Sequence, residues 1–332
     1  MTFTDLTLGY YLVDTSLGSL CSLDTTAPSV TIKEKNSDTT IEKKIVITGD
    51  EKVDSNSAGI GDTVNFSITI TVKDGAPKGY VLHDKLSGLT FDPNSLEVKV
   101  GTTTLTANTD YTLETNPADG DSFDVKFKDG KLKTNDVVVV TYSATVAANA
   151  TIAGAGNKNT AKLVYNEKDS TKEETTTYVW KLNVHKYALD STNHEVALSG
   201  AKFVLYRMDN GVKKYAKLTN KKIVGWVTDK DNATTLETSG TGDILIEGLN
   251  VGTYYLEETE APVGYNKLTE PIEVEITATT SVTSGSETVQ YKNSSETSYT
   301  PATDATVKVL NNAGTQLPST GGIGTTLFYV IG

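Results

Sequence analysis

The sequence holds a single cysteine, Cys21, so no disulfide within the chain can staple its fold. Histidine is nearly as scarce. His83, His185 and His194 stand at no metal-ligand spacing, so each is expected at the surface and no metal is expected. Positive charge is in deficit, with 30 Lys and Arg against 42 Asp and Glu and a formal net charge of -12. That balance leaves no basic patch for phosphates and argues against nucleic acid as a partner. Neither GxSxG nor HExxH occurs, DKDN from Asp229 lacks the glycine and closing glutamate of a calcium loop and reads as a turn, and GAGNKN from Gly154 opens no helix that could cradle a phosphate. No catalytic constellation remains for an enzyme, and no cofactor is called for.

Long amphipathic helix patterns are missing as well, and so are long apolar runs. The N-terminal MTFTDLTLGYYLVDTS has neither the basic flank nor the apolar stretch of a secretory signal peptide. At the other end IGTTLFYVIG, residues 323–332, is about half of the ~20 residues that span a bilayer, with no basic tail after it. The expectation is a fragment of a longer precursor that stops inside its membrane segment.

What is present is strand material. Threonine, valine, tyrosine and isoleucine fill runs such as FSITITV and DVVVVTYSATV, separated by turn-rich stretches around Asp50, Asp62, Asn94, Asp110 and Asp119. Strands joined by short turns without helices predict an all-β fold of tandem immunoglobulin-like, antiparallel sandwiches. With 332 residues there is room for two domains. The polar stretch NEKDSTKEETTT ahead of YVWKLNV divides them, giving domains over 30–176 and 177–313. Residues 1–29 are too short for a domain, and their GYYLVDTS echoes GTYYLEET at Gly252–Thr259, as the tail of a preceding domain of the second kind would.

Alternate residues of a strand share a face, so a polar residue in step with apolar neighbours points at the core. Lys43 is in step with Ile41, Ile45 and Ile47, and Lys186 with Leu182 and Val184. Asp84 keeps step with Leu82 and Leu86, and Glu258 with Tyr254 and Leu256. Asn159 is in step with Ala161, Leu163 and Tyr165, and Asn311 with Val307 and Val309. Each domain thus turns inward one lysine near its first strand, one acid in its middle and one asparagine near its last strand. Parity selects Lys43 over Lys44 and Asn311 over Asn312; Asn159 is preferred to Asn157, which has the same parity. A single buried charge is costly and is more simply read as an edge strand or a slipped register; the same ordered triple in two domains argues against that reading.

Such a triple permits an amide bond between the lysine and asparagine side chains with loss of ammonia. Burial moves lysine toward its neutral, nucleophilic form and keeps an acid protonated. The neutral carboxyl can polarise the asparagine carbonyl and then carry a proton from the lysine nitrogen to the departing amine. Fixed proximity does the rest, with effective molarities of ~10⁵ M or more.

These residues lie in motifs that resemble a known family. YYLEETEAPVGY at Tyr254–Tyr265 resembles the E-box of Gram-positive pilins, and the preceding SGTGDILIEGLNVGTYYLEE resembles SpaA-type, or Cna-B-type, domains. GDTVNFSITITV, VLHDKLSGLTF, LTANTDYTL and GNKNTAKLVY resemble the Cna-A-like isopeptide-forming domain of fimbrial shaft subunits. The resemblance implies a major, or backbone, pilin, with Lys43–Asn159 and Lys186–Asn311 as bonded pairs and Asp84 and Glu258 as the promoting acids.

It also gives meaning to LPSTG at Leu317, Pro318, Ser319, Thr320 and Gly321, a sorting signal of wall-anchored surface proteins placed after the last domain and ahead of residues 323–332. A sortase cysteine would attack the Thr320 carbonyl and release Gly321. VTIKEKN at Val30–Asn36 is similar to the pilin motif, with Glu34 where proline is usual, which makes Lys35 the acceptor for the next subunit's threonine. WKLNVHK at Trp180 has a similar look, but its Lys186 is better used internally. The implied partners are pilin-class and housekeeping sortases, identical subunits in a head-to-tail covalent polymer, and peptidoglycan, which places the chain in the cell wall or pilus of a bacterial surface. A competing reading is a monomeric wall-anchored adhesin or minor pilin that presents a site to a host surface or matrix ligand.

Overall fold

The alternation of β-branched and aromatic residues with polar ones is realised as strands, in a computed structural model that describes residues 3–13, 19–32, 38–73, 78–165, 168–293 and 296–313. The strands gather into two compact units. The first comprises residues 1–55, 63–145 and 158–176; the second comprises 56–62, 146–157 and 177–332.

The main strands of the first unit are β1 (Thr40–Val46), β2 (Thr63–Thr71), β3 (Val81–Leu86), β4 (Leu89–Val100), β5 (Tyr111–Thr115), β6 (Phe123–Phe127), β7 (Val137–Val146), β8 (Asn157–Tyr165) and β9 (Glu173–Tyr178). One sheet runs β1-β2-β7-β4 and the other β5-β6-β3-β8-β9, each extended by short edge strands. Antiparallel pairing joins β1 to β2 and β2 to β7 in one sheet and β5, β6, β3 and β8 in the other, with Lys43 opposite Ile68 on β2 and Ala161 opposite Asp84 on β3. Val64, Phe66, Ile68 and Ile70 of the first sheet and Leu82, Phe123, Val125 and Leu163 of the second are buried between them. Each such side chain contributes ~1.5–3 kcal/mol by leaving water. Ring packing joins the sheets, with Phe91 stacked on Phe123 at 4.1 Å and Phe123 edge-on to Tyr142 at 4.9 Å.

The second unit is built on β10 (Trp180–Leu189), β11 (Lys202–Asp209), β12 (Val212–Thr219), β13 (Lys222–Val227), β14 (Asp243–Leu249), β15 (Gly252–Glu260), β16 (Ile272–Thr280), β17 (Gly285–Lys292) and β18 (Thr306–Leu310). Its hydrogen-bonded path is β10-β14-β13-β12-β11-β15-β16-β17, and β18 returns to pair with the far side of β10. Not every pair is antiparallel. β18 runs parallel to β10, and β13 touches β14 in parallel at Lys222 and Glu247. Parity shows which face a residue takes but says nothing of which strand lies beside it, so these pairings were invisible to it. The core gathers Trp180, Leu182 and Val184 of β10 with Phe203, Leu205, Leu256, Val274, Val307 and Val309.

Ahead of the first unit's sheets, Gly9–Val13 and Ser19–Leu23 form a hairpin in which Tyr11 lies opposite Cys21. DKDN becomes a short 3-10 turn, Lys230–Asn232, capped by the Asp229 side chain. Among the described residues no helix is long and apolar enough to cross a membrane. Lys35, the sorting signal Leu317–Gly321 and residues 323–332 lie outside the described residues.

Candidate functional site

Strand parity carries all six inward polar residues into the cores. Lys43, Asp84 and Asn159 of the first unit and Lys186, Glu258 and Asn311 of the second are each at most 2 % exposed. The register ends early at one point: β1 stops at Val46, and Ile47, expected in step with Lys43, is exposed.

In the second unit β10 brings Lys186 level with Val309 of β18, so Asn311, two residues on, shares the lysine's face. The Asn311 backbone N–H donates to Tyr187 O at 2.9 Å and holds the strand end in place. Lys186 Nζ donates to Asn311 Oδ1 at 2.5 Å and lies 3.1 Å from Glu258 Oε1. The same Oε1 accepts from Asn311 Nδ2 at 3.4 Å, and Oε2 accepts the Leu268 N–H at 2.7 Å. One carboxyl oxygen therefore touches both the amine that would attack and the amine that would leave. Burial pushes Lys186 below the ordinary lysine range, against the opposing pull of Glu258. Phe203 closes the site, with its ring centre 5.4 Å from Nζ.

The first unit assembles its group across the two sheets. Lys43 stands on β1, while Asp84 and Asn159 come from the neighbouring strands β3 and β8, whose register pairs Asn159 with Leu86. Lys43 Nζ donates to Asp84 Oδ2, and to the hydroxyl of Tyr142 at 2.7 Å. That hydroxyl donates to Asp84 Oδ2 at 2.9 Å and accepts from Asn159 Nδ2 at 2.8 Å. Tyr142 of β7 thus links acid, lysine and amide. Asp84 Oδ1 and Asn159 Oδ1 make no hydrogen bond. Burial lowers Lys43 and raises Asp84, each against the pull of the other charge, and it holds Tyr142 well above the ordinary phenol value. The two sites therefore differ in wiring: a direct lysine–amide contact in one, a phenol relay in the other.

The neighbouring lysine and asparagines are otherwise engaged or exposed. Lys44 is turned to Asp54 at 2.7 Å. Asn157 is buried, but its amide is bound to the backbone, accepting from Thr151 N at 2.8 Å and donating to Thr151 O and Thr177 O. The Asn312 side chain is exposed. Tyr142 escaped sequence reasoning because an aromatic in step with Val138, Val140 and Ala144 looks like ordinary core.

Two histidines bear on the expectation of a bare surface. His185 Nδ1 lies 2.7 Å from Asp243 Oδ1, and His194 is largely exposed. His83 departs from it: its side chain is only 15 % exposed and sits among Asp119, Asp121 and Asp124, which a turn and a neighbouring strand bring to it from beyond any linear spacing.

Comparison with known proteins gives the fold a context. Residues 181–293 match the SpaA family model, described as a prealbumin-like fold domain. No curated protein matches the sequence significantly. Among solved structures, the pilus 2b backbone protein of group B streptococcus is 25% identical, over 83% of this chain and 99% of that one, with a TM-score of 0.63. The full-length major pilin RrgB of Streptococcus pneumoniae is 17% identical over 90% of this chain and 79% of its own, with a TM-score of 0.62. BcpA, the major pilin subunit of Bacillus cereus, is 19% identical over 92% and 82%, with a TM-score of 0.56. The chain is all-β, carries a SpaA-type prealbumin-like domain and is similar in structure to Gram-positive backbone pilins.

Proposed function

We propose that the chain is a structural shaft subunit of a sortase-assembled pilus, locked internally by Lys43–Asn159 and Lys186–Asn311 isopeptide bonds. The observation that carries this reading is the burial, in each unit, of one lysine, one acid and one asparagine within a single hydrogen-bonded group. Likeness to backbone pilins supports the assignment to a shaft.

In the reaction the neutral lysine Nζ attacks the asparagine Cγ. A new C–N bond forms, the Cγ–Nδ2 bond breaks, and one proton passes from the lysine nitrogen to the departing amine, which leaves as ammonia. Glu258 suits the proton transfer because its Oε1 faces both nitrogens. In the first unit Asp84 and the Tyr142 hydroxyl divide that task. The chain acts once on itself and turns over no substrate. Lys35 is the acceptor and Thr320 the donor of the bond between subunits, with Leu317, Pro318, Ser319 and Gly321 completing the sorting signal; peptidoglycan receives the last subunit.

Intact mass tests the internal bonds. The purified chain is expected to lack two ammonias relative to its sequence, and Asp84→Ala and Glu258→Ala are each expected to restore one. A mass equal to that of the unmodified sequence would sink the cross-links. The polymer is tested on cells that express the cognate sortase, where Lys35→Ala is expected to abolish high-mass covalent ladders; ladders that persist would remove Lys35 from the role, and their absence with Lys35 intact would favour a monomeric adhesin.

A further inference from the structure

The first unit carries a second cluster of titratable groups that the bond-forming chemistry does not use. His83 projects from β3 opposite Asp124 of β6 in the antiparallel register. The turn between β5 and β6 adds Asp119 and Asp121. His83 Nδ1 lies 2.9 Å from Asp124 Oδ1, 3.2 Å from Asp121 Oδ2 and 3.4 Å from Asp119 Oδ2. One ligand atom from each of the four residues falls within 4.8 Å of all the others.

Acidic clusters are common on an acidic protein, so the cluster alone proves little. The distinguishing observation is Asp124. Its residue is 2 % exposed, and its Oδ1, although 2.9 Å from His83 Nδ1, makes no hydrogen bond there; nor does His83 Nδ1. A buried carboxylate oxygen that faces a ring nitrogen without a hydrogen bond between them is costly, and a cation between the two would relieve it. Neighbouring cations do not settle the balance. Lys126 Nζ comes only within 4.0 Å of Asp124 Oδ2 and is bonded instead to Glu114. Lys162, beside His83 on β8, leans toward Asp169 at 3.9 Å. Three carboxylates therefore converge on one imidazole.

We propose that His83, Asp119, Asp121 and Asp124 bind a divalent transition cation of the Zn²⁺ or Mn²⁺ class. A cation held at about 2.1 Å by four ligands has them about 3.4 Å apart, close to the 3.4 and 3.2 Å of Asp119 and Asp121 from His83 Nδ1, while Asp124 at 2.9 Å would move slightly outward. One imidazole among carboxylates favours such ions over Ca²⁺, which takes six to eight oxygens, and over Mg²⁺, which keeps its waters. The ion would join β3 and β6 to the turn at 116–122 and offset the three like charges that meet at His83.

Titration of the full chain with MnCl₂, followed by the loss of the free Mn²⁺ electron paramagnetic resonance signal, tests this, with ZnCl₂ as competitor. One Mn²⁺ per chain is expected, displaced by Zn²⁺, with nitrogen coupling from one imidazole. Asp121→Asn, which keeps the side chain's shape, and His83→Gln are each expected to weaken binding more than about tenfold while leaving the circular dichroism spectrum and both ammonia losses unchanged. Absence of stoichiometric binding, binding that survives both substitutions, or binding of Ca²⁺ in preference to Mn²⁺ and Zn²⁺ would each overturn the proposal.

Discussion

A lysine and an aspartate in a dry core are an expensive pair unless something is done with them. Removing one partner of such a pair costs ~3–5 kcal/mol, and apolar replacement of both is often harmless. The cost has a pH signature when the bond cannot form. Because burial lowers Lys43, the unfolded chain holds more protons than the folded one between the lowered and ordinary lysine values, and stability rises with pH there. Because burial raises Asp84, the folded chain holds more protons between the ordinary and raised carboxyl values, and stability falls as pH rises there. Asn159→Ala keeps the pair but removes the amide. Compared with a Lys43→Met, Asp84→Leu, Asn159→Ala triple variant, its urea midpoint should therefore dip between the two windows and recover toward both acid and alkali. A difference that stays flat with pH would mean that burial does not perturb the pair. Tyr142 makes a separate claim. Tyr142→Phe keeps the ring stacked on Phe66 at 5.2 Å and removes only the hydroxyl that joins Asn159 to Asp84. Time-resolved mass after refolding should show the first unit's bond slowed by on the order of 10²-fold, with the second unit's rate unchanged. Equal rates in both units would remove Tyr142 from the relay. The lysines, acids and asparagines were legible because a charge in step with isoleucine and valine has no bland explanation twice over. A tyrosine in the same place has one, and so it was not.

At the scale of the element, what positions Lys186 is the pairing of β10 with its neighbours. Lys186 N donates to Gly242 O at 2.8 Å, and its carbonyl accepts from Leu198 N at 2.8 Å. Gly242 has φ +80, and a Cβ there would come 2.5 Å from Lys186 O. Backbone meets backbone at that point, so no side chain can yield. Gly242→Ala is expected to cost ~1–3 kcal/mol. It is best measured by thermal unfolding in a Glu258→Ala background, where no covalent bond holds β10 and β18 together. An unchanged melting temperature would show that the turn can open without moving the lysine. The glycine was readable as part of a turn in SGTGDIL, but its approach to Lys186 depends on β14 lying beside β10, a non-local fact. The same limit hid the parallel return of β18 and the meeting of His83 with three aspartates: periodicity reports faces, and only the fold reports neighbours.

At the scale of the whole molecule, the two proposed bonds redefine which residues can bear load. Tension entering near Lys35 and leaving near Thr320 would cross from Lys43 to Asn159 and from Lys186 to Asn311, so that residues 44–158 and 187–310 stay outside the stretched path. The ladders of β10 and β18 would then never have to be peeled apart. Each bond also closes a long loop in the unfolded chain; Lys186 and Asn311 are 125 residues apart. By the entropy of loop closure each bond is worth ~4–5 kcal/mol, which suits a chain whose single cysteine forbids an internal disulfide. Single-molecule pulling between handles at the two ends distinguishes a covalent shunt from a merely stable fold. With both bonds formed, no extension step should arise from either enclosed segment. In Glu258→Ala the second unit should unfold with an added contour on the order of 400 Å, since an extended chain spans ~3.4 Å per residue and 125 residues are released. A step of that size in the unsubstituted chain would mean that Lys186 and Asn311 meet in the core without being joined.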